Sequence, residues 1–156
     1  MKLSTKGRYG LQLMVDLGVY SKDRHISLKS ISERLGISES YLEQLAALLK
    51  KNKLVKSVRG AQGGYFLARL PEEISIGDIL RALEGSLAPT ECSCENTTDY
   101  HCELSCALSG KCVTKSVWER IRDGINHVVD GIALKELIED YEQKNYYSPD
   151  YDLFEI

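Results

Sequence analysis

The chain has 156 residues, 43% hydrophobic and 28% charged, with a net charge of −3, which is the make-up of an ordinary soluble globular protein of one domain plus an extension. No run is apolar enough for a membrane span, and Gln12 and Asp16 interrupt the apolar stretch behind Lys2, Lys6 and Arg8, so neither membrane insertion nor a signal peptide is expected. The mean charge hides a division: residues 1–70 carry 13 Lys and Arg against 5 Asp and Glu, and residues 71–156 carry 7 against 18. A basic half attracts phosphate, while an acidic half keeps the rest of the protein off a polyanion.

In chain order, apolar positions at Tyr9, Leu11, Leu13, Met14, Leu17 and Val19–Tyr20 predict a helix over 5–21, capped by Ser4 or Thr5. Ser27 caps a short helix over 28–35, with Leu28, Ile31 and Leu35 facing inward and Gly36 as its stop. Ser38 caps the next, with Tyr41, Leu42, Leu45, Leu48 and Leu49 on its buried side, and Asn52 closes it after Lys50 and Lys51. Two helices joined by a tight turn form a helix-turn-helix. Residues 54–58, a Gly-rich turn over 59–64, and residues 65–68 then read as a β-hairpin wing. Pro71 breaks the chain, and Ser75 caps a helix over 76–83 that ends at Gly85.

Residues 86–111 have no periodicity, and a loop that long in a compact domain needs a reason. It holds four of the chain's five cysteines, Cys92, Cys94, Cys102 and Cys106, and Cys112 follows it at once. Val113, Val117, Ile121, Ile125, Val128 and Ile132 then make an apolar stripe of about five helical turns. A last helix covers 134–141, and residues 146–156 form an aromatic and acidic tail. The expected fold is mainly α with a small β-hairpin: a winged helix-turn-helix domain (1–85), a cysteine-rich loop (86–112), dimerisation helices (113–145) and the tail.

The first half of the second helix of a helix-turn-helix meets base edges in the major groove. Here that half offers Ser38, Ser40, Tyr41, Glu43 and Gln44. Gln44 can pair with adenine and Glu43 can accept from cytosine N4, and because Glu43 repels phosphate it suits selective binding. In the wing, Arg59 can enter a minor groove, with Gln62 beside it, and Gly60, Gly63 and Gly64 let the backbone approach DNA. Lys2, Thr5, Lys6, Arg8, Lys29 and Ser30 are candidate phosphate contacts.

Five thiols within 21 residues form a soft ligand set suited to zinc, copper(I) or iron–sulfur. An odd count argues against a pure disulfide framework, and a reduced cytoplasmic setting is expected. The paired Cys-x-x-Cys of zinc knuckles and the spacing of generic ferredoxins are both absent. His101 is a reserve ligand. The long stripe has little else to pack on in so short a chain, so Val117, Ile121, Ile125, Val128 and Ile132 are expected at a homodimer interface. No Ser/His/Asp set and no phosphate loop stands out, so an enzyme is not expected.

Four segments, residues 1–10, Ser40-Tyr-Leu-Glu-Gln-Leu45, Val58-Arg-Gly-Ala-Gln-Gly-Gly-Tyr65 and Cys112-Val-Thr-Lys-Ser-Val-Trp118, together resemble the IscR/CymR-like family of winged helix-turn-helix regulators over about residues 1–143. The resemblance implies a homodimeric repressor on a double-stranded DNA operator. It also implies a cluster in the loop, [2Fe–2S] ahead of [4Fe–4S]; the thiol set by itself leaves zinc as the alternative. By position Cys92, Cys106 and Cys112 match the family's three cysteine ligands. The loop is longer here, which leaves Cys94 and Cys102 as alternatives to Cys92. The fourth ligand departs from the pattern, because Lys115 stands where the prototype has His and Arg8 where another branch has Asp. Cys102 first, then Cys94 or His101, is inferred to complete the set. The tail resembles that of the cysteine-metabolism branch, which lacks the cluster and answers to a partner enzyme. The tail either docks such an enzyme or packs on the dimer, packing being favoured, and a cluster donor or regulatory enzyme is a further candidate partner.

Overall fold

The computed structural model describes residues 4–93 and 111–146. Its elements run α1 (Thr5–Tyr20), α2 (Leu28–Leu35), α3 (Glu39–Lys51), β1 (Val55–Val58), β2 (Gly64–Leu67), a 3-10 turn (Pro71–Glu73), α4 (Ile76–Glu84), a second 3-10 turn (Glu91–Ser93), α5 (Lys115–Asp130) and α6 (Leu134–Tyr146). Ser4, Ser27, Ser38 and Ser75 each accept a backbone N–H of the helix they precede, the capping their positions predict. Gly36 ends α2 at φ 65°, a left-handed conformation that glycine adopts without cost.

The core lies between α1, α3, α4 and the hairpin. Leu13, Met14 and Leu17 of α1 are buried with Ile31, Leu42, Leu45, Leu49, Leu54 and Ile79. The buried face of α1 also contains glycines where neighbouring helices come close. A Cβ on Gly10 would lie 2.1 Å from Leu83 of α4, and one on Gly18 would lie 2.2 Å from Ile138 of α6. Leu28, Leu35, Tyr41 and Leu48, expected inside, are only partly buried at the edge of this core.

β1 and β2 pair antiparallel, Val55 opposite Leu67 and Val58 opposite Gly64. Ile26 adds a third strand-like contact: its N–H donates to the Tyr65 carbonyl (3.0 Å) and its carbonyl accepts from the Tyr65 N–H (2.8 Å). The base of the wing is thereby tied to the segment that leads into α2.

The C-terminal helices return to this domain. Ile76 N–H donates to the Ile132 carbonyl (2.9 Å) and Leu134 N–H to the Ile74 carbonyl (2.8 Å). Leu134 and Ile138 of α6 are buried in the shared core. α6 runs to Tyr146, one turn beyond its expected end. α5 begins at Lys115, so Val113 lies in the preceding turn, 89% exposed and outside the helical stripe. No helix among the described residues is long and apolar enough to cross a membrane.

Candidate nucleic-acid interface and cysteine site

α3 turns Leu42, Leu45, Ala46 and Leu49 inward, which leaves Ser40, Glu43 and Gln44 exposed on its outer face. Ser38 is exposed too, but its hydroxyl caps the helix by accepting the Tyr41 N–H. Tyr41 is partly buried against α1. Its ring meets Tyr9 edge-on at 6.0 Å, and its hydroxyl lies 3.4 Å from that of Thr5. The Arg8 guanidinium lies over the Tyr9 ring, 4.8 Å from its centre. Thr5, Arg8, Tyr9 and Tyr41 thus form one contact that sets the start of α1 against the start of α3. The sequence places Tyr9 among the apolar positions of α1, and its place beside Arg8 is the one signal of this further contact.

Lys6, Arg8 and Lys29 are exposed, as a phosphate contact requires. Ser30 is half-buried and its hydroxyl accepts from Arg34, which ties it to the frame of α2. Arg34 also grips Asp16 with two bonds of 2.7 Å each. The Asp16 side chain is 3% exposed, and its partner's is 28% exposed. The hydrogen bonds to Asp16 push the Arg34 guanidinium above its ordinary range. Arg34 stacks 4.3 Å over Tyr20, whose hydroxyl meets that of Tyr141 on α6 and is raised above the ordinary phenol value by that bond first and by burial next. The acid among the apolar positions of α1 was the visible sign of this pair.

In the wing, Arg59, Gly60 and Gln62 are exposed, and Gly60 has φ 114°. Gly63 and Gly64 also have a reason within the hairpin itself. A Cβ on Gly63 would lie 2.1 Å from the Val58 carbonyl oxygen, and one on buried Gly64 would lie 2.6 Å from that of Ile26. Both glycines serve the hairpin's own packing. Between the end of α3 and the hairpin an open groove of about 560 Å³ is lined by Lys50, Lys53, Lys56 and Arg69 over Val55 and Phe66, a basic surface not singled out in the sequence.

Glu84 of α4 closes the start of α1. Burial pushes its carboxyl up, but the Ser4 hydroxyl (2.6 Å) and the N–H groups of Gly7 (2.8 Å) and Ser4 (3.1 Å) outweigh this and hold it below the ordinary value.

Of the candidate ligands, Cys92 and Cys112 are described and both are half-buried. Lys2, Cys94, His101, Cys102, Cys106 and the tail beyond Tyr146 lie outside the described residues. Cys92 occupies the 3-10 turn Glu91–Ser93, and Cys112 stands three residues before α5. Each sulfur has a threonine hydroxyl two residues away: Thr90 Oγ1 at 3.3 Å from Cys92, and Thr114 Oγ1 at 3.2 Å from Cys112. That hydroxyl first, then the Thr114 N–H, lowers the Cys112 thiol below its ordinary value. Among the described residues no three His, Cys, Asp or Glu side chains meet in a metal-sized group. The chemistry of the two thiols, each beside a threonine hydroxyl, is nevertheless that of soft-metal ligands.

On α5, Val117 (49% exposed), Ile121 (42%) and Val128 (59%) share an open face with Gly124. Ile125 and Ile132, expected at the same interface, pack against the chain's own core instead.

The profile of the Rrf2 family, described as an iron-dependent transcriptional regulator, matches residues 3–140. The transcriptional regulator IscR of Aliivibrio salmonicida is 40% identical over 142 residues, 91% of this chain and 80% of that protein. The transcriptional regulator CymR of Bacillus subtilis is 40% identical over 148 residues, 94% of this chain and 97% of that protein. The solved structure of IscR from T. potens superimposes with a TM-score of 0.69 at 49% identity, covering 92% of this chain and 90% of its own. That of CymR, the global cysteine regulator of B. subtilis, gives 0.68 at 40% identity, covering 89% of this chain and 97% of its own.

Proposed function

This chain belongs to the Rrf2 family of iron-dependent transcriptional regulators, and from that premise we propose that it is a cytoplasmic, homodimeric repressor that senses an iron–sulfur cluster held in its cysteine loop. Its winged helix-turn-helix fold and its kinship with IscR and CymR make it a DNA-binding transcriptional regulator. The observation that carries the finer reading is the concentration of all five thiols in one 21-residue window, with Cys92 and Cys112 each beside a hydroxyl donor.

In this reading α3 enters the major groove with Ser40, Glu43 and Gln44 toward base edges. Arg59 and Gln62 reach a minor groove, while Lys6, Arg8 and Lys29 hold phosphates. The open face of Val117, Ile121, Gly124 and Val128 pairs with that of a second copy, which places two reading heads on two half-sites. Cys92, Cys106 and Cys112 hold the cluster, a [2Fe–2S] centre ahead of [4Fe–4S], with Cys102 as the fourth ligand. When bound, the cluster supplies a redox-sensitive cross-link between the segment after α4 and the start of α5. The regulated genes are those of cluster assembly or cysteine metabolism.

The near full-length match to CymR favours a second reading, in which the cysteines hold structural zinc or the acidic tail receives a regulatory enzyme. Anaerobic purification with an absorbance spectrum and iron, sulfide and zinc assays separates the two. Visible bands with iron and sulfide support the cluster reading. Colourless protein that stays metal-free after reconstitution, or takes only zinc, overturns it.

A further inference from the structure

The 3-10 turn that carries Cys92 is built as a rigid unit. Ser93 is 1% exposed, its N–H and its hydroxyl both donate to the Thr90 carbonyl (3.1 and 2.9 Å), and the two hydroxyls lie 2.9 Å apart. The unit is fastened from outside. Arg122 of α5 donates from Nη1 to the Ser93 carbonyl at 3.0 Å across 29 residues of chain. Its other edge, Nε and Nη2, is occupied by Asp123 at 2.8 and 2.7 Å, which fixes the plane of the guanidinium. Arg122 follows Cys112 by ten residues, so this bond joins the Cys92 turn to the helix that Cys112 precedes. The Thr90 hydroxyl, bonded within the turn, also faces the Cys92 sulfur at 3.3 Å.

We propose that Arg122, with Thr90, is the positioning element of the cysteine site: it clamps the Cys92 turn onto α5, so that ligation at Cys92 and the placement of α5 become one mechanical event. The inference rests on the cluster reading above and names the residues that join that site to the helix proposed to carry the dimer interface. The clamp uses a main-chain carbonyl as acceptor, so it holds the turn whether or not the sulfur is ligated. Because the Ser93 proton goes to the Thr90 carbonyl, the single Thr90 proton is shared between Ser93 Oγ and the Cys92 sulfur, and a thiolate there would draw it, a hydrogen bond of the kind that fixes ligand orientation from one shell further out.

The test uses the full chain reconstituted anaerobically with iron and sulfide. Arg122→Met keeps the packing of the stem and removes the donors; Arg122→Lys keeps the charge. A ferrous chelator should strip iron from Arg122→Met ~10-fold faster than from wild type, with Arg122→Lys between the two. In a Cys92→Ala background, Arg122→Met should add no further loss. Hydrogen exchange on the metal-free proteins should show the amides of 90–93 less protected in Arg122→Met than in wild type. Equal release rates and equal exchange in wild type and both Arg122 variants overturn the proposal. Wild type that takes up no iron and sulfide sinks the cluster reading instead, and the exchange comparison then decides the clamp alone. If Arg122→Met does not fold, Arg122→Lys carries the same comparison, with wild-type behaviour counting against the clamp.

Discussion

Replacing Arg34 with methionine tests whether the buried pair with Asp16 sets the position of α2. The substitution keeps most of the stem that stacks on Tyr20 and removes both 2.7 Å bonds. Asp16, 3% exposed, would then be a buried carboxylate with its guanidinium gone. Breaking such a pair from one side costs about 3–5 kcal/mol, and the 28% exposure of Arg34 brings water near enough to place the loss at the lower end, about 3 kcal/mol. For a chain of this size that is a fall in Tm of roughly 6–12 °C. Urea unfolding followed by helix circular dichroism should show a lower midpoint at unchanged slope. The double variant Asp16→Leu/Arg34→Met, with no charge left to bury, should recover most of the loss. Operator affinity should fall with the single variant, because Arg34 also holds Ser30 and with it the first turn of α2. A single variant within about 0.5 kcal/mol of wild type, or a double variant no more stable than the single, would refute the reasoning.

Gly64→Ala should cost about 2–3 kcal/mol, because its Cβ would meet the Ile26 main chain at 2.6–2.9 Å rather than a side chain able to swing away; thermal melts check it, and an unchanged Tm would show that the Ile26–Tyr65 tie yields cheaply. Glu84 has a folded pKa below its ordinary value of 4.5, so its stabilisation is complete above that value and drains away as pH falls through the lower folded value. The stability gap between wild type and Glu84→Gln, measured by urea titration from pH 7 to pH 3, should therefore shrink below about pH 4.5; a gap constant across the range would contradict the assignment. Ile121→Glu puts a charge on the open face of α5 and should yield monomers with a native circular dichroism spectrum; sedimentation showing an unchanged dimer would place the interface elsewhere. Glu43→Ala should relax base choice and raise affinity for non-operator DNA, read in a binding-site selection; the same preferred site as wild type would dismiss a discriminating role.

Where each helix begins and ends was largely legible, because capping is local chemistry. Ser27, Ser38, Gly36 and Asn52 mark α2 and α3 to the residue, since each bond a cap makes is to a neighbour a few positions away. The hairpin was equally readable from its Gly-rich turn between two short apolar runs, and the basic first half pointed to phosphate before any fold was known. What chain order alone left undecided were the contacts between distant segments. Gly63 and Gly64 look like loop glycines in sequence, and only the approach of Val58 and Ile26 gives them their reason. The α5 stripe reads as one apolar face. In the folded chain Ile125 and Ile132 turn to the chain's own core and Val117, Ile121 and Val128 to the outside, a division set by how α4 lies against the helix. Asp16 with Arg34, Glu84 with Ser4, and Arg122 with Ser93 join residues 18, 80 and 29 positions apart. Such pairs leave no periodic trace, because a salt bridge or a hydrogen bond to a carbonyl depends on where folding brings two groups and not on their spacing along the chain.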